Sequence, residues 1–111
     1  MILNTKGYPI LADLNGAKIL KKNDRTYTLN GIGDINYFPP ERLQGSNGYS
    51  FEYDFWTLGI LLYELVCGYL PFNFDSGESP MKIMAKIIEG AFDFPDYMRD
   101  PTTISLISQV F

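Results

Sequence analysis

Asp54-Phe55-Trp56-Thr57-Leu58-Gly59-Ile60-Leu61-Leu62-Tyr63-Glu64-Leu65 is the stretch that decides the fold of this chain. From Tyr53 to Val66 the run is apolar on nearly every face of a helical period, and Gly68 stands where a stop is needed. Ser50 offers an N-cap, with Glu52 a carboxylate in the first turn. A helix apolar all round needs neighbours on every side, so this segment is expected to be the buried central post of a helical domain. Glu64 interrupts its longest apolar run, which is too short to span a bilayer.

Downstream, Ser79-Pro80 opens a helix with Ile83, Met84, Ile87 and Ile88 on one stripe, and Gly90 closes it. Asp100-Pro101 starts a last apolar segment through Ile104, Leu106, Ile107 and Val110, with no stop signal before Phe111. Upstream, Ile2-Leu3 and Tyr8 to Ala12 flank Asn4-Thr5-Lys6-Gly7, a hairpin pattern. Between Gly16 and Pro40 the chain is polar, glycine-punctuated and without period, which in a compact domain marks a long functional loop. There is no internal repeat, so the chain reads as one domain or part of one.

The chain has 111 residues, 46% of them hydrophobic and 15% aromatic, the content of a globular domain. A net charge of -4 leaves no extended basic field and argues against nucleic acid or an anionic membrane as partner. Lys18, Lys21, Lys22 and Arg25 form the one local basic cluster and read as a solvated loop. The single cysteine, Cys67, cannot form an intramolecular disulfide and points to a reducing, cytoplasmic setting. Histidine is absent, which removes histidine-activated nucleophiles and makes zinc improbable. Residues 1–9 lack the features of a signal peptide.

Read in order, Ala12-Asp13-Leu14-Asn15-Gly16-Ala17-Lys18, Arg25-Thr26-Tyr27-Thr28-Leu29, Tyr37-Phe38-Pro39-Pro40-Glu41, the Asp54 to Leu65 helix and Gly68-Tyr69-Leu70-Pro71-Phe72 resemble a protein kinase. The order is that of the D-F-G segment, the activation loop, the A-P-E element, the D-x-W-x-L-G helix and the G-x-x-P-F segment. The flavour is that of cyclic-nucleotide-dependent (AGC-type) serine/threonine kinases. The implied fold is mainly α, part of a kinase C-lobe. It comprises an N-terminal hairpin, an activation-type loop, a buried central helix and two or more amphipathic helices, with residues 1–111 forming a partial kinase domain.

What the resemblance implies can be placed residue by residue. Asp13 takes the position of the Mg²⁺ ligand at the ATP site, a role that suits a hard carboxylate oxygen; the alternative is a carboxylate that caps the turn. Asn15 replaces the last glycine of D-F-G, and tolerates the left-handed conformation that glycine would allow there. Thr28 matches an activation-loop phosphorylation site. Asp34 falls where the family has a threonine touching the catalytic aspartate, so its charge would oppose that carboxylate. Glu41 resembles the A-P-E glutamate, Asp54 the residue that holds the catalytic loop, and Trp56 the ring packed beneath the substrate-binding segment.

Gly31-Ile32-Gly33 and Arg99-Asp100 are decoys without the context of a nucleotide loop or a catalytic loop. The glycine-rich loop, strand lysine, partner glutamate and catalytic loop that precede D-F-G in the family have no counterpart here, and Met1 reads as an internal methionine. The complete protein is therefore expected to be an ATP- and Mg²⁺-dependent serine/threonine kinase acting on a protein substrate, with this piece inactive and binding no cofactor tightly. The alternative is a pseudokinase or an interaction module offering Pro71 to Ile88 to a regulatory protein. Poor autonomous folding is expected of the exposed helix faces.

Overall fold

The computed structural model describes residues 1–22, 24–26, 33–45, 48–73 and 77–111. The chain begins with a hairpin of β1 (Ile2–Leu3) and β2 (Pro9–Ile10), antiparallel, with Ile2 opposite Ile10 and Leu3 opposite Pro9. The Asn4 side chain organises the turn, its Oδ1 accepting from the amides of Lys6 and Tyr8 at 2.9 Å each. A 3₁₀ turn follows at Leu14–Gly16. Neither it nor the hairpin packs against any helix, and no described residue before Pro39 is buried.

A second 3₁₀ turn, Ile35–Tyr37, leads into the short helix α1 (Pro40–Leu43). Then come α2 (Glu52–Cys67), α3 (Pro80–Glu89) and α4 (Pro101–Ser108). α1 and the Ile35–Tyr37 turn lie against α3, while α2 packs against that turn and α4. The core has two adjoining clusters. Trp56, Ile60, Phe72, Ile83 and Ile87 form one, and Tyr63, Cys67 and Ile107 the other, with Phe92 and Phe111 packed against both. Edge-to-face aromatic contacts dominate, as in Phe111 against Phe92 at 4.9 Å and against Trp56 at 5.0 Å.

The central helix departs from expectation in two ways. Its cap is Phe51, already helical at φ -61° and ψ -27°, with Ser50 contributing only its carbonyl to the Tyr53 amide. And α2 is buried along one face, Trp56, Gly59, Ile60, Tyr63 and Cys67, while Phe55 (67% exposed), Leu58 and Leu65 (71% exposed) lie on the surface. Gly68 ends it as expected, at φ 82° and with its amide donating to the Glu64 carbonyl at 2.8 Å.

The later helices follow the sequence more closely. Pro80 opens α3, Ile83 and Ile87 face inward and Gly90 closes it, but Ile88 is exposed. Asp100 caps α4 by accepting from the Thr103 amide at 2.8 Å, and hydrogen bonds from Thr103 hold its carboxyl below the usual carboxylate range. α4 ends at Ser108 without a glycine or left-handed cap, and Val110 and Phe111 lie against Gly59 of α2.

Gly59 is where that contact is closest. A Cβ there would lie 2.5 Å from Val110 Cγ1 and 3.3 Å from Phe111 Cε1, so only glycine admits the returning chain.

Candidate functional site

Asp13 heads the Leu14–Gly16 turn at φ 61° and ψ 73°, the one non-glycine in the left-handed region among the described residues. The strained position belongs to the aspartate, not to Asn15, which sits inside the 3₁₀ turn. Asp13 is exposed and makes no side-chain cap to the turn it precedes. Among the described residues no three His, Cys, Asp or Glu side chains gather as a metal-binding group. Asp13 can thus offer one hard oxygen ligand but does not form a metal site by itself. Mg²⁺ fits such a position when phosphate oxygens and waters complete the shell.

Thr28 lies outside the described residues. The basic cluster just before it is exposed, as expected of a solvated loop, and Arg25 also donates from Nε and Nη2 to the Gly48 carbonyl at 3.2 and 2.8 Å. Thr26 pairs with Tyr49 through both backbone bonds, and Arg25 approaches Glu52 at 3.6 Å. The loop is therefore tied to the start of α2.

The segment from Asp34 to Leu43 is fastened from several sides. Asp34 caps the Ile35–Tyr37 turn, accepting from the Asn36 amide at 3.0 Å. The Tyr37 hydroxyl donates to Glu64 Oε2 at 2.8 Å. Burial, reinforced by the Glu64 and Asp34 carboxylates, pushes the Tyr37 hydroxyl up from 10.0 to about 12. The Arg42 guanidinium lies 3.5 Å from the centre of the Phe38 ring and donates to the Tyr53 hydroxyl at 2.6 Å. Burial raises the Tyr53 hydroxyl, against the pull of Arg42.

Glu41 is half-buried in the first turn of α1 and makes no hydrogen bond or ion pair with the described residues. Asp54 is exposed in the first turn of α2. Trp56, 7% exposed, stacks on Phe72 at 5.9 Å with planes 3° apart. Its Nε1 is buried without an acceptor among the described residues.

The structure therefore brings Trp56, Tyr37 and Glu64 into one region around α2 and leaves Asp13 apart from it. Of this group Tyr37 and Glu64 have no role assigned from the sequence, nor does Arg42 beside them. A signal existed for Glu64, since a carboxylate in an apolar helix needs a donor.

Comparison with known proteins fits this arrangement. The protein kinase domain matches residues 1–110. The chain is 39% identical over 110 residues, 99% of its length, to a cGMP-dependent protein kinase of Plasmodium berghei, of which it spans 12%. It is 39% identical over 110 residues to a cAMP-dependent protein kinase catalytic subunit of Arthrobotrys oligospora, of which it spans 20%. Toxoplasma gondii has a cGMP-dependent protein kinase 37% identical over 110 residues, and the chain covers 10% of it. The chain thus spans a small part, 10 to 25%, of the curated relatives it matches. With residues 1–110, almost the whole chain, matched by the protein kinase domain, the chain belongs to the protein kinase family.

Proposed function

We propose that residues 1–111 are a partial kinase domain, from the helical lobe of a serine/threonine kinase similar to the cyclic-nucleotide-dependent enzymes. In this reading the complete protein uses ATP and Mg²⁺ to phosphorylate serine or threonine in protein substrates. The observation that carries it is the unbroken kinase-domain match over residues 1–110.

Each site residue then has a role. Asp13 supplies one metal ligand at the ATP site, and Mg²⁺ bound there would neutralise charge on the transferring phosphoryl group. Thr28 is the activation-loop phosphorylation site. Glu41, Asp54 and Trp56 are architectural. Two features favour packing against further parts of a kinase domain: the exposed apolar face of α2 and the unpartnered Trp56 N–H, since a buried donor without an acceptor costs about 1–3 kcal/mol. The chain alone has neither a phosphate-covering loop nor a catalytic base and is inactive. No helix of the described residues is long and apolar enough to cross a membrane.

A non-catalytic role draws on Asn15, a residue that stiffens the metal-ligand turn where the family uses glycine. One experiment separates the two. The complete protein and the isolated chain are each incubated with MgATP and a library of serine/threonine peptides, and phosphate transfer is measured. Transfer by the complete protein alone is the expected result. Nucleotide binding without transfer by the complete protein would replace the enzyme reading with a pseudokinase.

A further inference from the structure

Within the described residues the Asp34 carboxylate has partners of its own. Its Oδ1 accepts from the Asn36 backbone amide at 3.0 Å and from the Asn36 side-chain Nδ2 at 2.7 Å. An ionised carboxylate only accepts hydrogen bonds, so the nitrogen of the Asn36 amide must face Asp34 and its oxygen must face away. That oxygen accepts from Asn73 Nδ2 at 3.0 Å, across 37 residues of sequence. Asn73 is held in turn by the backbone bridge to Leu70, in the turn that carries the fully buried Pro71 and Phe72. One residue beyond Asn36, Tyr37 donates to Glu64 on α2.

We infer that Asp34 is a positioning residue: by fixing which way the Asn36 amide points, it fastens the 34–38 segment onto the turn at 70–73. The polarity of the relay runs one way, from acceptor-only Asp34 through Asn36 to the Asn73 donor. What the position requires is an acceptor at that place, and negative charge is incidental to it. A neutral asparagine can present its Oδ1 to both Asn36 donors; alanine presents nothing. The consequence for catalysis rests on the kinase reading, because the 34–38 segment leads into the element matching A-P-E.

The test uses the complete protein with Asp34→Ala, Asp34→Asn, Asn73→Ala and Asp34→Ala/Asn73→Ala. Hydrogen exchange at the amides of residues 36–38 is read first, since it needs no activity. Asp34→Ala and Asn73→Ala each speed exchange there by about fivefold, the factor a side-chain cap typically contributes. The double variant is no faster than the faster single one, because both remove the same relay. Asp34→Asn stays within about twofold of the parent, as retention of the acceptor requires. Phosphate transfer is read second, and the pH profile of kcat/KM for Asp34→Asn keeps the shape of the parent's.

Unchanged exchange in Asp34→Ala, or additive effects of Asp34→Ala and Asn73→Ala, overturns the inference. So does an Asp34→Asn profile whose acidic limb moves, since that would mean the charge acts on a titrating group in the reaction. If neither the parent nor any variant transfers phosphate, the kinase reading falls and the exchange data alone decide the role of Asp34.

Discussion

Residues 1–26 and residues 48–111 are held together by different physics. In the first region nothing described is buried, and shape comes mostly from short-range bonds, Asn4 in its turn, Asp24 accepting from the Lys21 amide and Lys18 donating to Thr26, with Arg25 and Thr26 reaching across to Gly48 and Tyr49. In the second, aromatic rings close a core around one face of α2. The candidate metal ligand Asp13 belongs to the first region and the candidate architectural residues Asp54 and Trp56 to the second. A chemistry-bearing loop can thus change with little effect on the core, whereas a core residue changes everything that leans on it.

The sharpest way to break the comparison is Phe72→Ala. Phe72 is 1% exposed and its ring contacts Trp56, Phe92 and Phe111. Its loss leaves a cavity where three rings met and should cost about 3–5 kcal/mol. Leu3→Ala in β1, at a residue 71% exposed, should cost less than about 0.5 kcal/mol. Thermal unfolding of the complete protein compares the two, and equal costs would refute the division.

Gly59→Ala is the next largest. The new Cβ would fall 2.5 Å from Val110 Cγ1, and Val110 Cβ and Phe111 Cε1 stand at 3.1 and 3.3 Å behind it. A cost of about 1–3 kcal/mol is expected for such overpacking. The second change Val110→Ala opens the space and should recover part of the loss. If Gly59→Ala is neutral, the return of the chain onto α2 is looser than its packing indicates.

Tyr37 gives a pH-dependent version of the same comparison. Its hydroxyl is raised from 10.0 to about 12, chiefly by burial and then by the bond to Glu64. A folded-state value above the unfolded one stabilises the fold fully below pH 10.0, and that contribution is lost as the pH rises through about 12. Tyr37→Phe should therefore be less stable than the parent by about 1 kcal/mol at pH 8. The gap closes as the pH climbs through that window. Denaturant titrations at several pH values measure it: no gap at pH 8 would mean the Tyr37–Glu64 bond contributes nothing, and a gap that does not change with pH would mean the hydroxyl titrates alike in the folded and unfolded chain.

How far the sequence could be read follows from the same division. The helices were legible because period, Pro80, Gly68, Gly90 and Asp100 are local signals. The packing of Phe111 was not, because the rings it lies against are far away in sequence. Ser50 contributes its carbonyl to the start of α2 but no side-chain cap, because Phe51 already takes helical angles and local chemistry does not announce that. Asp13 and Asn15 both tolerate the left-handed region, and composition cannot choose between them. Tyr37 and Glu64 are 27 residues apart, a pairing that no local pattern announces. The order of the motifs still identified the family, because motif order survives errors in individual contacts.

The smallest expected effect lies on the outer face of α2 and tests the comparison from within a single helix. Phe55 and Leu65 are 67% and 71% exposed, less than one turn from the buried Trp56 and Tyr63 respectively. In the isolated chain, Phe55→Ser and Leu65→Ser remove apolar surface that contacts little, so helix content should hold and unfolding should shift by no more than about 0.5 kcal/mol. Self-association should fall, because an exposed apolar patch is what neighbouring copies stick to. Sedimentation velocity reads the second effect and circular dichroism the first. In the complete protein the same substitutions separate two outcomes. A cost of about 2 kcal/mol or more would mean that another part of the protein covers this face, as packing within a larger kinase domain requires. A cost near zero there as well would leave the face exposed in the complete protein and remove one support for that packing.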